Sequence, residues 1–174
     1  EHLAVSMGSA HFYDSSIFVS RGETRVVFLE HIPGKGDRLM TGNIVEGKLV
    51  SAHPVFPVVG TYKNPTVTVD AKGQAYLSWE EFKEDRWQVM VARFDDGQAE
   101  TIQALNQPAS FSVDTQAPSG DRNFGNGINH ATAPHPQGGL SIVWQQDVGG
   151  QFDVAHAKVS GGLQISEQNI LSIN

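Results

Sequence analysis

Three stretches of the chain share one layout. The run from Asn64 to Trp79 aligns with the run from Asn129 to Trp144, with Asn, Gly and Trp in register at 64, 73, 79 and at 129, 138, 144. A weaker third copy runs through Asp14, Ile17, Val19, Gly22 and Val26, with Phe28 in the Trp slot. Gly22 to Phe28, Gly73 to Trp79 and Gly138 to Trp144 are each six steps, and the aromatic slots lie 51 and then 65 residues apart. The extra length falls at 106–128. A repeat of this period is one supersecondary unit, which buries its apolar face only against a neighbouring unit.

Within each unit the pattern is that of strands. Ala75, Leu77 and Trp79 alternate with polar or smaller residues, as do Leu140, Ile142 and Trp144, and a period of two is the strand signature. Trp87, Val89 and Val91 are expected to continue the Trp79 face, with Met90, Ala92 and Phe94 opposite; Ala155, Ala157 and Val159 are expected opposite Trp144. A sheet apolar on both faces must be covered on both. Gly47, Gly97 and Gly161 mark a further turn before a fourth strand. The expected fold class is therefore all-β, with three four-stranded antiparallel blades at about 14–52, 64–105 and 129–174 and a long inserted loop at 106–128. The stretch 79–94 also fits a helical stripe through Trp79, Phe82, Arg86 and Met90. Its repeat counterpart contains Val148-Gly149-Gly150, a poor helix centre, and this decides for strands.

The Pro-x-Val-x-Val-Asp-x-x-Gly run starting at Pro65, followed by Leu77-Ser78-Trp79, and its copies resemble the sialidase-like (BNR-type) blades of β-propellers. The resemblance runs from about Asp14 to the end of the chain. It implies that the first strand of each blade lines a central channel. It also implies an exported protein, secreted or periplasmic. The Asp-box of sialidases, Ser-x-Asp-x-Gly-x-Thr-Trp, is absent, and the catalytic motifs of that family are not matched.

Propellers carry about four to eight blades. Three copies leave two bare apolar faces, so the expected partner is a second copy of the chain, a homodimer completing a six-bladed ring; a piece of a longer propeller and a sandwich of the same strands are the alternatives. Twelve Lys and Arg against nineteen Asp and Glu give a net charge of −7, which argues against nucleic acid and anionic membranes as partners. No apolar run approaches the roughly 20 residues of a membrane span. With no cysteine there is no disulfide, thiolate metal site or cysteine nucleophile. No cofactor signature is present.

The A–B and C–D turns, centred on glycine, are expected on one edge of the blades. The B–C loops at 30–37, 80–86 and 145–150 and the D–A connections at 53–63 and 106–128 are expected, longer, on the other. Long loops on one edge of a rigid scaffold are where binding groups usually sit. That edge carries the candidate ligand-binding residues Asp14, Asn64, Asn129, His130, Glu80 and Asp121. Carboxylates and amides around a channel mouth suit a polyhydroxylated ligand, a carbohydrate, although a protein ligand fits the same edge. Bland roles compete: Asp14, Asn64 and Asn129 as caps of the preceding loop, Glu80 and Glu81 as solvated loop charge, and Trp79 and Trp144 as core. The Gly- and Asn-rich 119–129 segment lacks calcium-loop spacing, and none of the seven histidines forms a short metal-binding pair, so no metal is expected. The competing function is a glycan-processing hydrolase. The usual glycosidase route needs two facing carboxylates, and Asp14 is the single carboxylate at a first-strand start.

Overall fold

The computed structural model describes residues 11–105 and 124–171. Twelve strands form three four-stranded antiparallel sheets in simple up-and-down order. The first holds β1 (His11–Ser20), β2 (Glu23–Ile32), β3 (Gly36–Val45) and β4 (Lys48–Pro54). The second holds β5 (Tyr62–Val69), β6 (Ala75–Lys83), β7 (Arg86–Asp95) and β8 (Gln98–Ala104). The third holds β9 (Phe124–Pro134), β10 (Leu140–Val148), β11 (Gln151–Val159) and β12 (Ile165–Leu171). The described residues contain no helix, and 80–92 is strand and hairpin. The first strands of neighbouring sheets, β1 with β5 and β5 with β9, lie together. They are the axial strands of a propeller sector. The expected loop at 106–128 is shorter at its end, because β9 begins at Phe124.

Antiparallel pairing corrects which residues share a face. Leu77 stands opposite Ala92, Trp79 opposite Met90 and Ala75 opposite Phe94, so Met90, Ala92 and Phe94 lie on the Trp79 face. Ile142 stands opposite Ala157 and Trp144 opposite Ala155, so these alanines lie on the Trp144 face. Directly opposed residues point the same way, which the single-strand alternation could not convey. The middle sheet is covered on both sides. Leu77, Trp79 and Phe94 pack on Val27, Leu29 and Leu39 of the first sheet. Tyr76, Val89 and Val91 pack on Leu140, Ile142 and Trp144 of the third. Both repeated tryptophans are core.

The outward faces of the end sheets are different from one another. Ile17 pairs with Val26 on the face turned away from the middle sheet, and Ile17 and Val19 are 64% and 61% exposed. The corresponding face of the third sheet carries exposed Val143, Phe152, Val154 and Leu171, interleaved with Gln145, Asp147, His156 and Lys158.

The B–C connections are tight, contrary to the expectation of long loops there. Lys83 and Arg86 flank a two-residue turn at Glu84-Asp85, with φ of 55° and 59°, and Gly149-Gly150 repeats it with 64° and 86°. Two successive positive φ values make the type I′ hairpin, whose twist matches the strands it joins. The long connections among the described residues reduce to 55–61 between β4 and β5.

Candidate functional site

Each axial strand carries a bulge at the same point of the repeat. The register slips between Tyr13 and Ser15, between Lys63 and Thr66, and in β9 across Asn129 and His130. The residues at the slip are Asp14, Asn64 and Asn129, with φ of 41°, 52° and 55°. Asp and Asn tolerate this left-handed conformation better than other non-glycine residues. The repeated Asp/Asn is thus a bulge requirement. A bulge of this kind re-aims side chains out of the ladder.

The three bulges converge on a cavity of about 490 Å³ lined by Asp14, Ser15, Ser16, Asn64, Pro65, Thr66, Asn129 and His130. Four of the expected residues are therefore brought together: Asp14, Asn64, Asn129 and His130. Asp121 lies outside the described residues. Ser15, Ser16 and Thr66 had drawn no attention in the sequence; following the bulged residue in an axial strand was the available signal.

Glu80 does not line this cavity. It is 0% exposed and lies beneath the mouth, which corrects the reading as solvated loop charge. Its Oε1 accepts from Asn64 Nδ2 at 2.9 Å, from the His130 backbone N–H at 3.2 Å and from His130 Nδ1 at 3.0 Å. Lys63 Nζ stands 3.2 Å from Oε2 and lies over the Trp87 ring. Burial alone would raise the Glu80 carboxyl, but the bonds from His130 and Asn64 outweigh it and hold the group down at about 2. It is ionised, and it ties β5 to β9.

The same slot explains the other two bulges. Asn129 Nδ2 donates to Gln145 Oε1 at 3.0 Å, and Gln145 follows Trp144 as Glu80 follows Trp79. In the first sheet that slot, after Phe28, holds buried Leu29, so Asp14 has no such partner on β2. Its Oδ2 instead accepts the Asn64 backbone N–H at 3.2 Å, across to the second sheet.

The His130 ring is buried between Glu80 and Ser78, with Nε2 3.0 Å from Ser78 Oγ. Ser78, His130 and Glu80 thus have the connectivity of a nucleophile, base and orienting carboxylate. Ser78 is 1% exposed, so no substrate reaches its hydroxyl, and the chain of bonds is a structural tie. Among the described residues no group of three or more His, Asp or Glu is gathered as a metal centre. Among the described residues lining the cavity, Asp14 is the one carboxylate.

No protein-family model matches the sequence, and no curated protein does. Solved structures do match in fold. A thermostable family-43 glycoside hydrolase superposes with a TM-score of 0.60 at 10% identity, over 94% of this chain and 55% of its own. An α-L-arabinofuranosidase from Lactobacillus brevis gives 0.58 at 9% identity, over 94% and 57%. An endo-1,4-β-xylanase from Bacteroides thetaiotaomicron gives 0.53 at 12%, over 94% and 54%. This chain has the fold of about half of a β-propeller of the family-43 glycoside hydrolase kind. It spans little more than half the length of these structures. The expected blades are met at that level, a glycoside-hydrolase-like propeller, and the narrower sialidase resemblance is not.

Proposed function

We propose that the chain is a carbohydrate-binding β-propeller module whose site is the cavity at the three bulges. The observation that carries this is the convergence of Asp14, Asn64, Asn129, Ser15, Ser16 and Thr66 on one cavity of about 490 Å³ at the axial strands. Hydroxyls, amides and one carboxylate offer donors and acceptors to a polyol without calling for charge on the ligand. The volume suits one or two sugar rings, within the roughly 300–1,000 Å³ of ordinary ligand sites. The similar solved structures are named as glycoside hydrolases, which supports a glycan over a protein ligand.

Those same names favour a hydrolytic second reading. Among the described residues the cavity holds one carboxylate, where hydrolysis by the usual route takes two. We further propose that a second copy of the chain covers the exposed faces of the end sheets.

The test is titration calorimetry with neutral arabino- and xylo-oligosaccharides, alongside an assay for released reducing sugar. Binding without hydrolysis is expected, weakened at least tenfold by Asp14→Ala, with the melting temperature lowered only by the lost bulge residue and its bond to the Asn64 N–H. Turnover would establish the hydrolase instead. Absence of binding, or binding indifferent to Asp14→Ala and Thr66→Ala, overturns the site.

A further inference from the structure

A second polar group lies on the first sheet, apart from the cavity. His11 of β1 is the direct cross-strand partner of His31 of β2, and His31 is that of Asp37 of β3. Opposed residues in antiparallel strands have Cβ atoms about 5 Å apart and project to one face. The three side chains therefore form one transverse row.

The row is built rather than incidental. Asp37 is 6% exposed. Its Oδ1 lies 2.8 Å from His31 Nδ1, its Oδ2 accepts the Tyr62 N–H at 3.3 Å, and the Tyr13 hydroxyl donates to it as well. Burial pushes this carboxyl up, but those three bonds outweigh it and keep the group below the usual range, hence ionised. An ionised carboxylate only accepts. The Nδ1 of His31 must then carry hydrogen, and the lone pair of the neutral ring sits on Nε2. The His31 side chain is 44% exposed and His11 is exposed, so both rings are open to solvent.

We propose that His11 and His31 bind a divalent transition-metal cation of the zinc, copper or nickel kind, with Asp37 orienting His31 from behind. Imidazole suits these cations, whereas calcium and magnesium take hard oxygen ligands. A metal-binding histidine almost always donates its other ring N–H to a carboxylate or carbonyl, and Asp37 already stands in that position. Among the described residues the site has two protein ligands, with water completing the shell. It is open, unlike a closed centre of three or more side chains.

The experiment is calorimetric titration of the chain with zinc and nickel chlorides in chelator-stripped buffer, with NMR of the imidazole resonances under substoichiometric nickel. One ion per chain and broadening of the His11 and His31 rings are expected. His11→Ala, a surface change, should weaken binding at least tenfold. Asp37→Asn should weaken it about 10- to 100-fold. His2→Ala, His53→Ala and His156→Ala should leave binding unchanged. Absence of saturable binding, or binding that survives His11→Ala or is lost with His2→Ala, overturns the site.

Discussion

Glu80 is where local chemistry and the shape of the cavity meet. Four groups converge on its buried carboxylate, and three of them belong to the bulged residue Asn64 and to His130. Truncation to Ala leaves a buried imidazole and an amide without their acceptor. Glu80→Ala should therefore cost about 3–5 kcal/mol by urea unfolding. Glu80→Gln should cost less, about 1–2 kcal/mol, since Gln145 makes the equivalent bond to Asn129. The pH dependence follows from the sign of the shift. The folded carboxyl titrates at about 2, below its ordinary 4.5. Its contribution is complete above about pH 5 and is lost as pH falls through 4.5 toward 2. Asp37 and Asp70 are lowered too, and their contributions are lost as pH falls below their ordinary 3.8. The urea midpoint should stay level from pH 6 to 8 and fall below 4.5, less steeply in Glu80→Gln. A midpoint flat down to pH 3 would contradict the burial of an ionised Glu80.

Hairpin turns and bulges decide how each sheet presents its edge. Glu84 and Asp85 both hold positive φ without being glycine, at roughly 1–2 kcal/mol each. Replacement by Asn-Gly, the preferred type I′ pair, should raise stability by about 1 kcal/mol, read from the melting temperature. The Gly139 turn behaves oppositely. With φ +89°, a Cβ there would sit 2.1 Å from the Val159 carbonyl oxygen. Its N–H also donates to Asp70 Oδ2 at 2.7 Å, joining the second sheet to the third. Gly139→Ala should cost about 3 kcal/mol or more. The aromatic-and-glycine register of the repeat was enough to foresee three blades, the strands within them and the convergence of Asp14, Asn64 and Asn129. Three things were hidden. Glu84-Asp85 is no turn signature by composition, so the B–C loops looked long. The burial of Glu80 depends on Lys63, Asn64 and His130, and His130 lies on β9, 50 residues away in sequence. The His11–His31–Asp37 row depends on register, which alternation along one strand leaves undetermined.

At the scale of the whole molecule, one sheet of three has both faces covered by described residues. Light scattering should report about twice 18.9 kDa at micromolar concentration. Ile17→Glu with Val19→Lys should return a monomer while leaving the bulge cavity intact, since these side chains lie on the far side of β1. A wild-type monomer under these conditions would refute pairing through the end faces. The two end faces are unlike, one aliphatic and one mixed with His156 and Lys158. On the proposed pairing, contact between them is head-to-tail. Such a joint carries a fixed rotation per copy, and assembly terminates only where that rotation completes a circle. Two copies turned by half a circle stop at a ring. Any substitution at the joint that alters the rotation turns the same adhesive pair of faces into a growing helical fibre. On the proposed pairing, polymerisation, rather than unfolding, is the failure expected of such a joint.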